Sequence, residues 1–328
     1  MIKDRRINIS NDEWHEKFVS SLENMFPKRS QLIRALEELL GLEYSSVYRR
    51  LKNEVAFTMQ EIAKISNAWS ISLDRLIGVN SKQIPFFMQP VNYFNPSKQE
   101  MEFLRQIIHL IVHLKNFPDA EYMNICNKLP RQLLSGYNYL NHFYLFKFFY
   151  QYSSEKNAVP FAKVEISDEK RKLTDEYFQA VKNVPQSNFI FDAKLFDNII
   201  SDLRYFHSIK MVTSDEKEMI KNDLRSLINY LSDIATEGFY PETKSKVGIY
   251  ISQISIDTNY SYTVTDKANI CFVHVFDKYE IHSYDPDMVD NFRTWMQLKK
   301  RTSVQISEVD AKSKLEYFER QHELINSL

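Results

Sequence analysis

The chain has 328 residues, with only five glycines and two cysteines, and 42 Lys+Arg against 43 Asp+Glu give a formal charge of −1. The five glycines are too far apart to write a GxxxxGKS/T or GxGxxG phosphate loop, two cysteines make neither a disulfide framework nor a metal quartet, and the charge balance alone names no partner. The apolar share of 44% supports real cores, while neither a signal-peptide apolar region nor a run of about 18 apolar residues is present, so a mainly α, two-part, cytoplasmic protein is expected.

Residues 1–79 read as five short helices. Trp14, Phe18, Leu22 and Met25 or Phe26 recur at helical spacing from about Asn11, and Pro27 ends that helix. Ser30 is the expected N-cap of a second helix with the stripe Leu32, Ile33, Leu36, Leu39 and Leu40, and Gly41 stops it. A third covers about Tyr44 to Lys52, with Val47 and Leu51 inward. Thr58 opens a fourth, with Glu61 completing a capping box and Met59, Ile62, Ala63 and Ile65 expected to be buried. Ser72 caps a short fifth, Leu73 to Ile77, closed by Gly78.

Two helices joined at a glycine are a helix-turn-helix pattern. The run Leu39-Leu40-Gly41-Leu42, then Ser45-Ser46-Val47-Tyr48-Arg49-Arg50-Leu51, then Ile71-Ser72-Leu73-Asp74-Arg75-Leu76-Ile77, resembles the phage-repressor, or XRE-type, DNA-binding domain. The Tyr-Arg-Arg-Leu-Lys piece resembles BetR-like regulators in particular. The resemblance covers about residues 10–79, and it departs from the family at Glu37, where a small residue is usual, and at Asn53, where a glycine often stands. It implies that the third helix enters the major groove of double-stranded DNA, with Tyr44, Ser45 and Arg49 at base edges. Ser46, Tyr48, Arg50 and Lys52, with Ser30, Gln31 and Arg34 at the start of the second helix, fall to the DNA backbone. Residues 1–80 carry a net charge of only +1, but Tyr44 to Lys52 holds Arg49, Arg50 and Lys52 and no acid, so a basic face can form. The alternative is a protein-interaction module or scaffold whose arginines are a solvated helix face.

Residues 80–97 form a connector in which Pro85, Pro90 and Pro96 break any helix. It is apolar enough either to dock on the second domain or to be exchanged between subunits. Residues 98–328 are expected to form an effector-binding or dimerisation domain of α+β class. Within it, 98–240 reads as helical: a stripe of Phe103, Ile107, Leu110, Ile111 and Leu114, then about Ala120–Leu129, Tyr137–Tyr152, Ser167–Val184, Ala193–Ile209 and Ser214–Glu237. From about Lys246 the period becomes strand-like, and four segments ending near Tyr284 predict a small antiparallel meander. Two helices, Asp287 to about Lys300 and about Ala311 to Ile325, close the chain.

Residues in catalytic or metal-binding patterns are few. His109 and His113 have the i,i+4 spacing a metal wants but lack the Glu of HExxH, and a structural pair is the alternative. Cys271 and His274 fall on opposite faces of a strand and cannot meet. The helix Tyr137–Tyr152 has nine aromatics in sixteen residues. It reads as central core, as a subunit interface, or as the wall of a ligand pocket through Tyr137, Tyr139, Phe143, Tyr144 and Tyr150. No catalytic, cofactor or metal site is expected. The residues thus predict a DNA-binding transcriptional regulator, a homodimer with a small-molecule or peptide effector, no enzymatic activity and no membrane association.

Overall fold

Two separate hydrophobic cores divide the chain into compact units at Pro85 and Phe86. The computed structural model describes residues 11–26, 28–69, 71, 73, 86–92, 94–152, 159–165, 167–265, 269–275, 279–307 and 311–328.

The first unit is helical. Its elements are α1 (Asn11–Met25), α2 (Arg29–Leu40), α3 (Tyr44–Leu51) and α4 (Met59–Trp69). Apolar residues at three- and four-residue spacing bring Phe18, Leu22, Leu32, Leu36, Val47, Leu51, Ile62 and Ile65 into one core. Truncating a member as enclosed as Leu36 to alanine costs about 2–5 kcal/mol. Gly41 ends α2 in the left-handed region (φ 67°), its N–H bonded to the Glu37 carbonyl. Thr58 and Glu61 close the expected capping box at α4: the Thr58 N–H donates to Oε2 of Glu61 (2.8 Å) and the Glu61 N–H to Oγ1 of Thr58 (3.3 Å).

Three local expectations shift. Lys28, not Ser30, precedes α2 and gives no side-chain cap, so Ser30 lies within the first turn. Met59 is 76% exposed and Ala63 is also exposed, because the buried face of α4 is narrower than its apolar content. The expected fifth helix lies almost wholly outside the described residues.

The second unit is built on a mixed eight-stranded sheet, which replaces the small antiparallel meander. Its strands are β1 (Phe87–Pro90), β2 (Glu121–Cys126), β3 (Gln186–Asp192), β4 (Lys246–Ser252), β5 (Tyr260–Val264), β6 (Ile270–Val275), β7 (Tyr279–Ser283) and β8 (Val304–Gln305), in the order β1-β7-β6-β5-β2-β3-β4-β8. β2, β3 and β4 run parallel, and the other pairings are antiparallel. The helices are α5 (Lys98–Leu114), α6 (Asn138–Tyr152), α7 (Asp168–Lys182), α8 (Leu195–Ser208), α9 (Ser214–Glu237), α10 (Pro286–Arg301) and α11 (Ala311–Asn326). The pairs α6–α7 and α8–α9 are the crossovers that parallel strands require.

Two readings of 98–240 are thereby corrected. The segment expected as a helix over Ala120–Leu129 is strand β2, paired with β3 on one side and β5 on the other. Asn-Phe-Ile-Phe in the gap between two expected helices is the middle of β3, buried along nearly its whole length. Strands buried on both faces lose the alternation that marks a half-exposed strand, and short apolar runs then look alike in either state. The connector contributes β1, paired with β7 of the same chain.

One sheet face packs Tyr122, Phe189, Phe191, Ile249 and Phe272 within the core shared with α5–α9 and α11. The other packs Met123, Ile125, Ile190, Tyr262 and Cys271 against Val289, Phe292 and Met296 of α10. Beneath α10, Nε2 of Gln297 donates to Oε1 of Glu121 (3.0 Å) and to the Tyr262 hydroxyl (2.9 Å), and Nζ of Lys300 to Oδ1 of Asn188 (3.0 Å). Gly248 leaves room for this network: a Cβ there would lie 2.6 Å from Oδ1 of Asn188.

Candidate nucleic-acid interface and ligand cavity

In the first unit, α2, the turn at Gly41 and α3 form a helix-turn-helix whose outer edge is polar. Tyr44 and Ser45 open α3 and are exposed, Tyr44 at 57%, with its ring stacked on Tyr48 at 5.9 Å. Nε of Arg49 lies 3.5 Å from Oε2 of Glu54, both side chains more than half exposed. A pair so open to water contributes little, and its arginine can exchange the carboxylate for a guanine edge. Ser30, Gln31, Arg34 and Lys52 are exposed as well, whereas Ser46 and Tyr48 are half-buried.

Arg50 does something different. Its Nε and Nη2 donate to both carboxylate oxygens of Glu61 at 3.0 Å, and its Nη1 to the Ser46 carbonyl at 3.1 Å. The two side chains are only 14% and 15% exposed. Burial pushes the Glu61 carboxyl up, but the hydrogen bonds from Arg50 and Thr58 and the guanidinium charge outweigh it and hold the pKa below the ordinary 4.5. Arg50 therefore ties α3 to the start of α4 and does not point outward as a phosphate contact.

Two further clamps carry no motif. Nη2 of Arg29 donates to the Leu51 carbonyl (2.9 Å), fixing the start of α2 on the end of α3, and its guanidinium lies 5.8 Å from the Tyr48 ring centre. Nζ of Lys52 lies 5.5 Å from the same ring. Buried His15 accepts the Phe57 N–H at Nε2 (3.1 Å), which leaves its Nδ1–H for Oδ1 of Asn53 (2.9 Å). That bond steadies Asn53 in the left-handed region (φ 58°), at the position where the repressor pattern often has glycine.

In the second unit a cavity of about 280 Å³ opens beside β2, under α5, α6 and α7. Tyr122, Asn124, Ser261 and Phe272 come from the sheet, and Phe103, Ile107, Tyr144, Phe148, Thr174 and Tyr177 from the helices. Nδ2 of Asn124 donates to the Tyr122 hydroxyl at 3.3 Å, and the Tyr177 hydroxyl also bonds Tyr122. Burial pushes both phenols well above their usual range, so they stay protonated. Oδ1 of Asn124 is buried without a hydrogen-bond partner, a state that costs about 1–3 kcal/mol. Of the charged groups lining the cavity, Nζ of Lys147 sits 2.5 Å from Oδ2 of Asp202, Nε2 of His274 lies 3.5 Å from Oε2 of Glu280, and Glu100 is occupied capping α5 and binding the Asn92 N–H (2.6 Å); Lys128 and Lys170 complete the lining.

The five aromatic residues expected to line a pocket do not come together. Tyr144 lines the cavity; Phe143 is enclosed in the core, and Tyr139 and Tyr150 are exposed. Tyr137 is half-buried, its phenol pushed up to about 12 by burial and by the charges of Asp223 and Glu242. The pocket-forming face of α6 is instead Tyr144, Lys147, Phe148 and Gln151. The signal that would have located the cavity is Asn124, a polar residue in the otherwise apolar run Tyr-Met-Asn-Ile-Cys.

His109 and His113 are both exposed, their rings 4.3 Å apart, with Nδ1 of His113 bonded to the His109 carbonyl. No group of three or more metal-ligating side chains occurs among the described residues. Cys271 is buried against the Ser283 carbonyl while His274 faces the cavity side, and burial pushes both cysteine thiols up. Among the described residues, no helix is long and apolar enough to cross a membrane.

Residues 22–93 match the family model of the BetR domain, a helix-turn-helix family. The match begins within α1, contains α2–α4 and runs just past β1. Comparison with curated proteins and with solved structures finds no match.

Proposed function

We propose that this chain is a sequence-specific transcriptional regulator of the XRE, phage-repressor type, working as a homodimer in the bacterial cytoplasm. Tyr44, Ser45 and Arg49 read base edges, while Ser30, Gln31, Arg34, Tyr48 and Lys52 hold the phosphates. The observation that carries this reading is the exposed edge of α3, Tyr44 and Ser45 in its first turn and Arg49 in its last, on a helix tied to its neighbours by Arg50 and Arg29, within a segment matching the BetR domain. The second unit senses a small-molecule or peptide effector, supports dimerisation, or both, and carries no catalytic step. An effector that prefers one state of the protein shifts its population and hence operator affinity.

The test is selection of bound fragments from random double-stranded DNA by the full-length protein. Expected is one enriched motif with paired half-sites, bound with an affinity that falls steeply as salt rises. Enrichment of no motif, or a salt-independent association with protein partners only, overturns the reading.

A further inference from the structure

The cavity beside β2 has the attributes of a built ligand site. It is lined wholly by residues of the second unit, and its walls differ in kind. Phe103, Ile107, Tyr144 and Phe148 present apolar and aromatic surface, while one sheet position in the lining, Asn124, holds a buried acceptor, Oδ1, with no hydrogen-bond partner. Asn124 is only 5% exposed and its amide is held in place through Nδ2 by the Tyr122 hydroxyl, so Oδ1 is fixed rather than free to swing. Ordinary core packing would place a Leu or Val at this position in a central strand. The lining holds three lysines, Lys128, Lys147 and Lys170, against three carboxylates, Glu100, Asp202 and Glu280, so its formal charges balance and leave no surplus of either sign to offer an ion. At about 280 Å³ the space exceeds the roughly 150 Å³ that encloses benzene.

We propose that this cavity binds an uncharged aromatic molecule of one or two rings carrying a hydroxyl or amide N–H, which donates to Oδ1 of Asn124 while the ring packs between α5 and α6. This deepens the effector reading above and names the chemical class of the effector. The site would then discriminate as polar-lined pockets do, by leaving Asn124 unsatisfied when the donor is absent.

The experiment titrates the full chain with benzyl alcohol, benzamide, toluene, benzoate and benzylammonium, reading thermal shift and ligand-observed NMR. Benzyl alcohol and benzamide are expected to bind, raising Tm by about 3–5 °C at ten times Kd, with toluene about tenfold weaker and both ions weaker still. Asn124→Leu removes the acceptor at similar volume and is expected to abolish the preference for benzyl alcohol over toluene. Gln151→Trp, at an exposed position on the rim, keeps the fold and is expected to weaken every probe. The proposal is overturned if the donor probes do not bind the unmodified chain, leaving only water in the cavity. It is also overturned if toluene or an ion binds as well as benzyl alcohol, or if Gln151→Trp leaves affinities unchanged. Operator binding measured with and without benzyl alcohol is a separate readout: no change there sinks the regulatory role while the ligand class stands on the titration.

Discussion

Arg49 and Arg50 are neighbours in sequence with different work. Arg49 is exposed beside Glu54 and free to turn toward a base, so Arg49→Ala should relax preference at one operator position by about 1–3 kcal/mol while leaving Tm unchanged, as read by competition binding. Arg50 is spent on Glu61 inside the fold, and Arg50→Ala should lower the stability of the first unit by about 2–3 kcal/mol in denaturant titration, with operator preference intact in the folded fraction. Glu61 adds a pH signature. Its carboxyl is held lower in the folded state than the ordinary 4.5, so its stabilisation is present above that value and is lost as pH falls below it. In Arg50→Ala that acid-side loss should shrink, which pH-dependent thermal melts would show. The sequence separated the two arginines as base and backbone contacts but not as exposed and inward-turned, because the deciding partner, Glu61, lies on another helix.

At the level of elements, what was legible followed local rules. Gly41 at the end of α2, the Thr58–Glu61 box and the helical spans of α1–α4 are each written within a few residues and form as read, while the Ser30 cap of α2 and the burial of Met59 and Ala63 do not. Gly41→Ala should cost about 1 kcal/mol of stability through its left-handed backbone alone, since a Cβ there would meet nothing within 4 Å; hydrogen exchange in α2 and α3 would report it. The strands β2 and β3 were hidden for the opposite reason. Their partners lie far along the chain, and burial on both faces erased the alternating pattern. The aromatic helix α6 was correctly placed, but its cavity-facing side was not, because a helix apolar nearly all round does not say which face meets the sheet.

For the whole molecule, two dependences on solution conditions should separate. Operator affinity should fall with salt as phosphate contacts are lost, and removing either exposed cation Arg34 or Lys52 should reduce the log–log slope by about 1. The second unit should instead answer to acid. His282 is buried among Phe87, Phe103 and Phe272, and burial pushes its pKa from 6.5 down to about 4. The unfolded chain thus takes up a proton that the folded one refuses, and stability falls as pH drops from about 6.5 toward 4, by about 2 kcal/mol between pH 7 and pH 5. His282→Phe should flatten that slope in denaturant titrations. His282 also pairs in register with Phe87, the first residue of β1. This pairing sets an order of events during synthesis. The helices of the first unit can close on one another as soon as their own residues emerge, whereas β1, made next, must wait for β7 before its edge of the sheet exists. A chain interrupted anywhere between them would carry the helices of the first unit complete, and a second unit whose sheet lacks the β1–β7 edge.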